Sequence, residues 1–234
     1  MNWPGEVIQA RFVGRRKRFF ADMRLLDGTP VTAHCANTGS MATCMAVDAP
    51  CLLTFHPDPK RKLAYSWQAI QMPDGWVGIN TSLANGLVRS TFDARIIPSW
   101  QPYAQWRSEP KISEHSRLDA CLQGDALPDL YLEIKNVTLL GDRPGEIRFP
   151  DAVTTRGTKH LHELQRLGQQ GHPITLCFCV QRNSATHFRP AEEIDPLYVE
   201  TLRRAVDNGL TLLVLQFHLD STGIVFKGTL PFTL

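Results

Sequence analysis

The sequence predicts an α+β chain of two domains, a small β-barrel over residues 1–84 followed by a layered α/β domain over residues 85–234. Three observations lead there. Short β-rich runs bounded by turn residues crowd the first third of the chain, the spacing expected of a small barrel. From residue 85 onward helical spacing alternates with continuous apolar runs, the signature of a layered α/β domain. Charge divides at the same place: residues 1–84 hold nine Lys and Arg against six Asp and Glu, whereas residues 85–234 hold 16 against 17.

The barrel strands are read from 7-VIQARFV-13, 18-RFFADMRL-25, 30-PVTAHC-35, 51-CLLTFH-56, 62-KLAYSWQAI-70 and 76-WVGIN-80. Asp27-Gly28, Asn37 to Ser40, Pro57 to Pro59 and Pro73-Asp74-Gly75 separate them, each a turn-forming composition. In the second domain, 114-EHSRLDACL-122 and 130-LYLEIKNVTL-139 read as strands joined by the short connection 123-QGDALPD-129. A helix is expected over about 155–169, where Leu161, Leu164 and Gly168 recur at helical spacing with Leu167 beside them. Gly171 ends it. The run 173-PITLCFCVQ-181 is apolar throughout, as a strand covered on both faces requires. A helix over about 196–208 stops at Asn208-Gly209, and 210-LTLLVLQFHL-219 is a further buried strand.

The composition narrows the function. The chain has 234 residues and a net charge of +2, so bulk electrostatics single out no partner. No apolar run approaches the roughly 18 residues that span a bilayer, and 1-MNWPGEVIQARF-12 has no apolar secretory core. Six cysteines show no CxxC pair. Cys177 and Cys179 alternate in an apolar strand, where a thiol acts as a small hydrophobe. The expectation is a cytoplasmic protein without disulfides.

The barrel's positive excess is concentrated in Arg15, Arg16, Lys17 and Arg18, and again in Lys60 to Lys62. Such clusters either track phosphates or simply solvate a loop. A second candidate lies in 130-LYLEIKNVTL-139. Residues two apart share a strand face, so Glu133 and Lys135 project together while Leu132 and Ile134 face the other way. A hairpin through residues 123–129 would bring Asp119 beside Glu133. Two such carboxylates repel unless a cation lies between them, and Mg²⁺ or Mn²⁺ takes hard oxygen ligands, completing its shell with water and phosphate. Lys135 would stand at the rim, to orient water or stabilise phosphate charge, and Glu114 would act at one remove through water. The D/E-x-K triplet occurs three times, but Asp58-Pro59-Lys60 and Glu109-Pro110-Lys111 enclose a proline, unsuited to a central strand. The alternative for Glu133 and Lys135 is an exposed ion pair worth about 0–1 kcal/mol.

Other residue types point less far. His34 and Cys35 are adjacent in a strand-like run and would face opposite sides, against a thiol–base pair. The spacing of His34, Cys35, Cys44 and Cys51 fits no zinc pattern. Asn37, Thr38, Gly39 and Ser40 form a polar turn whose amides suit a phosphate. Arg156, Lys159 and His160 sit near a helix start, which favours anions, although Lys159 and Glu163 could simply pair along the helix. The five tryptophans offer stacking faces or core. Tyr103, Trp106 and Arg107 are assigned to an interdomain linker.

The segments 34-HCANTGSM-41, 80-NTSLAN-85, 116-SRLD-119, 133-EIKNVTL-139, 149-FPDAVTTRGTKHLHEL-164 and 195-DP-196 closely resemble the sugar fermentation stimulation protein A family, over residues 11 to 210 or so. The resemblance implies an N-terminal OB-fold and a C-terminal domain of the PD-(D/E)xK nuclease type. It matches Asp119, Glu133 and Lys135 to that fold's metal-binding aspartate, glutamate and lysine, and Glu114 to its upstream glutamate. It also implies non-specific DNA binding, with phosphate contacts at Asn37, Thr38, Ser40, Arg156, Lys159 and His160, and a regulatory link to sugar (maltose) metabolism. Two departures fall in the barrel: Ala36 replaces the usual proline of its loop, and residues 44–56 lack the usual Pro-Gly-Ser turn. The expectation is DNA binding with a metal-dependent nuclease site on Asp119, Glu133, Lys135 and Glu114; the alternative is a DNA-binding transcription regulator without turnover.

Overall fold

The computed structural model describes residues 1–114 and 116–234. Strands β1 (Glu6–Arg16), β2 (Phe20–Leu25), β3 (Pro30–His34), β4 (Pro50–Phe55), β5 (Tyr65–Met72) and β6 (Gly75–Gly78) come first, then helix α1 (Ala84–Asp93). Strands β7 (Gln105–Ser108), β8 (Lys111–Ser113), β9 (Ser116–Arg117), β10 (Ala120–Gln123), β11 (Leu130–Val137), β12 (Leu139–Leu140) and β13 (Glu146–Phe149) follow. The chain ends α2 (Thr155–Gln169), β14 (Ile174–Val180), β15 (His187–Pro190), α3 (Pro196–Asp207), β16 (Thr211–Leu219) and β17 (Ile224–Thr229).

The first six strands run in the order β3-β2-β1-β4-β5-β6 and close through a parallel β3–β5 pairing, with Ala33 opposite Tyr65 and His34 opposite Ser66. Closure removes the open edges that a twisted sheet would otherwise expose. Phe12, Met23, Leu53, Trp67 and Ile70 fill the interior, and the Phe12 and Trp67 rings stack with centroids 5.1 Å apart.

The second sheet runs β17-β16-β14-β11-β10-β7. Its centre, β11-β14-β16, is parallel, and β14 is buried at every residue. One face packs on α1 through Leu132 and Ile134 against Ala84, Leu87 and Val88. The opposite face packs on α2 and α3 through Leu176 and Phe178 against Leu161, Leu164 and Leu202. Thr154 caps α2, accepting from the Gly157 amide at 3.0 Å, and Asp195 caps α3 at Tyr198. Trp106 and Arg107 belong to the edge strand β7 and Tyr103 is buried, so these residues are sheet and core rather than linker. Trp67 and Trp100 are fully buried, Trp3 is buried, and Trp76 and Trp106 pack against the core. Three of the five tryptophans are thus core, and Trp76 and Trp106 are partly buried.

The barrel is bolted to the second sheet. The Gly78 amide donates to the Gln181 carbonyl at 2.8 Å, and Val77 bridges Arg182. Arg182, 1% exposed, grips both oxygens of Asp74 at 2.6 and 2.7 Å and donates to the carbonyls of Thr43 and Thr138. All six cysteines are free and buried. Among the described residues no helix is long and apolar enough to cross a membrane.

Candidate metal and nucleic-acid site

β11 answers why a buried strand carries two opposite charges. Its even positions, Leu132 and Ile134, take the apolar α1 face, which forces Glu133 and Lys135 onto the α2 face. There the Glu133 side chain is 2% exposed, a costly place for a carboxylate without partners. Lys135 Nζ donates to Glu133 Oε1 at 2.6 Å, and the His160 ring Nδ1 meets the same oxygen from α2. Glu133 Oε2 is buried and, among the described residues, has no hydrogen-bond partner.

The hairpin forms with Ala120 opposite Leu132, Cys121 opposite Tyr131 and Leu122 opposite Leu130. One further step along that ladder sets Asp119 across from Glu133. Asp119 itself lies in a bend just before β10, not within a strand. The bend lets its carboxylate fold back, so that Oδ2 accepts from the Ile134 amide at 2.8 Å and Oδ1 from Asn85 Nδ2 at 3.0 Å.

The two carboxyls are pushed in opposite directions. Burial, and then the neighbouring Glu133, raise the Asp119 pKa, against the pull of Ile134, Asn85 and Lys135. Burial pushes Glu133 up too, but His160 and Lys135 outweigh it and hold Glu133 below its ordinary value. Two carboxyls set across from each other in backbone register, one raising the pKa of the other, form a place where a cation would lower the energy of both. The partnerless Oε2 is a hard oxygen donor of the kind a divalent ion takes. The described residues bring no group of three His, Cys, Asp or Glu side chains together as a cage, so such an ion would complete its shell with water, as Mg²⁺ commonly does.

Two clefts flank the start of α2. One, of about 350 Å³, runs between the domains and is lined by Lys135, Arg18, Thr38, Arg148 and Asp151 among others. The other, of about 470 Å³, is lined by Lys111, Glu114, Ser116, Arg117, Arg156, Lys159 and His160. Glu133 lies between them, held by Lys135 from the first and His160 from the second. Glu114 is exposed on the second cleft.

The barrel's expected DNA contacts divide. Lys17 and Arg18 stand at the exposed β1–β2 turn, both with positive φ. Arg15 turns inward, donating to the carbonyls of Arg18, Gly39 and Asn37. Arg16 pairs with Asp22 at 2.8 Å. Thr38 and Ser40 are exposed, but Asn37 is buried and its Oδ1 accepts from the Gly39 amide. The Ser40 amide donates to Asp151 Oδ2 at 2.9 Å. The turn expected to cradle a phosphate therefore already holds an anion, supplied by the second domain. His160, expected at phosphate, is buried against Glu133; Arg156 and Lys159 are exposed.

One site residue escaped sequence reasoning, and a second, His160, was expected in another role. Asn85 ends the segment 80-NTSLAN-85 and steadies Asp119. His160 lies on the same helix face as Gly157, Leu161, Leu164 and Leu167, all buried. That periodicity, applied to the histidine as well as to the leucines, would have placed it inward.

Comparison with known proteins agrees with this architecture. The profile described as the SfsA N-terminal OB domain matches residues 13–79, and that of the sugar fermentation stimulation protein RE domain matches residues 82–223. The chain belongs to the sugar fermentation stimulation protein family. It is 44% identical over 235 residues to the sugar fermentation stimulation protein homolog of Magnetococcus marinus, covering 100% of both chains. It is 40% identical over 225 residues to that of Maricaulis maris, covering 96% of this chain and 95% of the other. Its fold superposes on Pyrococcus furiosus SfsA, solved in complex with Ca²⁺, with a TM-score of 0.89 at 22% identity, covering 100% of this chain and 98% of that one. The fold class is the expected one in outline, an OB barrel followed by an α/β domain.

Proposed function

We propose that the chain binds DNA through its phosphate backbone with little sequence preference, and hydrolyses phosphodiesters with a divalent ion at Asp119 and Glu133. The barrel domain, residues 1–84, supplies Lys17, Arg18 and Thr38 as backbone contacts, Ser40 being held by Asp151; the second domain, residues 85–234, supplies Arg156, Lys159 and the reacting groups. The observation that carries this reading is the partnerless, buried Oε2 of an ionised Glu133 opposite Asp119. The relative solved with Ca²⁺ supports a divalent ion. Asp119 and Glu133 would hold Mg²⁺ or Mn²⁺, which when bound supplies Lewis acidity and a water that deprotonates more readily. Lys135 is the cation that both touches Glu133 and lines the interdomain cleft. Its Nζ is placed to stabilise charge on a phosphate entering past Arg18. His160 and Asn85 orient the two carboxylates, and Arg15 and Arg16 brace the barrel turn that carries Lys17 and Arg18.

One observation favours a second reading, a DNA-binding regulator without turnover that acts in sugar metabolism: the Lys135 ammonium and the His160 ring already occupy Glu133 Oε1. One experiment separates the two. Linear, nicked, flapped and single-stranded DNA are incubated with protein and Mn²⁺. Cleavage that disappears in Asp119→Ala and Lys135→Ala supports the enzyme. Retained, strongly salt-dependent binding with no cleavage of any substrate supports the regulator.

A further inference from the structure

The second cleft gathers four cations, of which the hydrolytic reading uses Arg156 and Lys159 only as general backbone contacts. Lys111 on β8 and Arg117 on β9 are opposite one another in the ladder. Like charges directly across a strand pair are destabilising. From α2, Arg156 and Lys159 line the same recess, at the positive end of a 15-residue helix. Four cations thus meet one lining carboxylate, Glu114. Among the described residues, Lys111, Arg156 and Lys159 form no ion pair, and Arg117 donates only to the Glu109 carbonyl, at 3.1 Å. A second observation is independent of charge. Ser116, 7% exposed, lines this recess, and its buried Oγ has no hydrogen-bond partner among the described residues. Buried hydroxyls normally have one. The wall is completed by His160, whose ring touches Glu133.

We infer that this recess is a phosphate subsite that takes the terminal phosphomonoester of a nucleic-acid strand, next to the carboxylate pair. A monoester carries about −1.5 to −2 charge where an internal diester carries −1, so a recess of four cations favours the strand end. Arg117 and Arg156 offer forked N–H donors to phosphate oxygens, Lys111 and Lys159 offer point charges, and Ser116 Oγ donates from beneath. Seating an end here would set the distance from the terminus to the bond presented at Glu133. The inference rests on the DNA-binding reading above, which it deepens by naming the substrate as a phosphorylated end.

The test measures binding of short duplexes with 5′-phosphate, 3′-phosphate or hydroxyl ends at fixed salt, and the thermal protection given by inorganic phosphate alone. One phosphorylated end should bind about tenfold tighter than the hydroxyl end, the gain expected of one or two charged hydrogen bonds. The preference should vanish in Arg117→Ala/Lys159→Ala and shrink in Ser116→Ala. Phosphate should protect wild type more than these variants. Equal binding of all ends with no protection by phosphate overturns the subsite, while normal binding of hydroxyl-ended DNA leaves the DNA-binding reading standing. Protection that the variants lose, without any preference for ends, overturns the assignment to a strand end and makes an internal phosphate the occupant. Protection without DNA binding of any kind supports the subsite and sinks the DNA-binding reading.

Discussion

Arg182→Ala tests what joins the two domains. The guanidinium is 1% exposed and serves Asp74 on the barrel, with both oxygens bound, together with the carbonyls of Thr43 and Thr138. Removing it leaves the Asp74 side chain, 26% exposed, without its cation and strips donors from two carbonyls. Breaking one side of a buried ion pair costs about 3–5 kcal/mol, and a chain of this size loses about 2–4 °C of Tm per kcal/mol. The variant should therefore melt about 6–20 °C below wild type and unfold at lower urea. The sign with pH follows from Asp74. Burial pushes its carboxyl up, but Arg182 and Ser184 outweigh that and depress it below its ordinary value of 3.8. Its contribution is then fully present above about pH 4 and is lost as pH falls through the lower folded value. The gap between wild type and Asp74→Asn should hold steady from neutral pH to about pH 5 and close below pH 4 or so. An Arg182→Ala loss under about 1 kcal/mol would refute the bolt, since that is the range of a surface pair.

Gly39→Ala should cost about 1–3 kcal/mol, because an added Cβ would lie 2.2 Å from Asp151 Oδ2. In Asp151→Ala the same change should cost less, a non-additivity readable by urea denaturation. Asn85→Ala should weaken Mn²⁺ binding by about tenfold by loosening Asp119, with calorimetry as the measurement. His160→Ala should do the same through Glu133, whereas His160→Gln, which keeps a hydrogen-bonding side chain, should recover part of it. Charge removal at Lys17 and Arg18 should reduce the salt slope of DNA binding by about two, and an unchanged slope would move the phosphate contacts elsewhere.

The two-domain order, the turn-bounded barrel strands, both recognised helices and the buried strands of the α/β core were legible because each is written in local periodicity. β11 shows the limit. Its alternation told which face Glu133 and Lys135 share, but not that the face is buried. The basic run Arg15–Lys17–Arg18 shows the other limit: composition cannot tell a guanidinium that braces its own loop from one that reaches solvent.

By itself, the order of residues determined which side chains share a strand or helix face, since that follows from periods of 2 and 3.6 residues. It also pointed to the hairpin that sets Asp119 and Glu133 across from each other in backbone register, because a short connection leaves few registers. Tertiary structure alone decided that His160 and Asn85, from two helices on opposite faces of one sheet, hold the carboxylates. It likewise decided that Asp151 fills the barrel's anion turn and that four cations converge beside Ser116. Those contacts join residues as many as 111 positions apart, and no local rule encodes the packing of one layer on another.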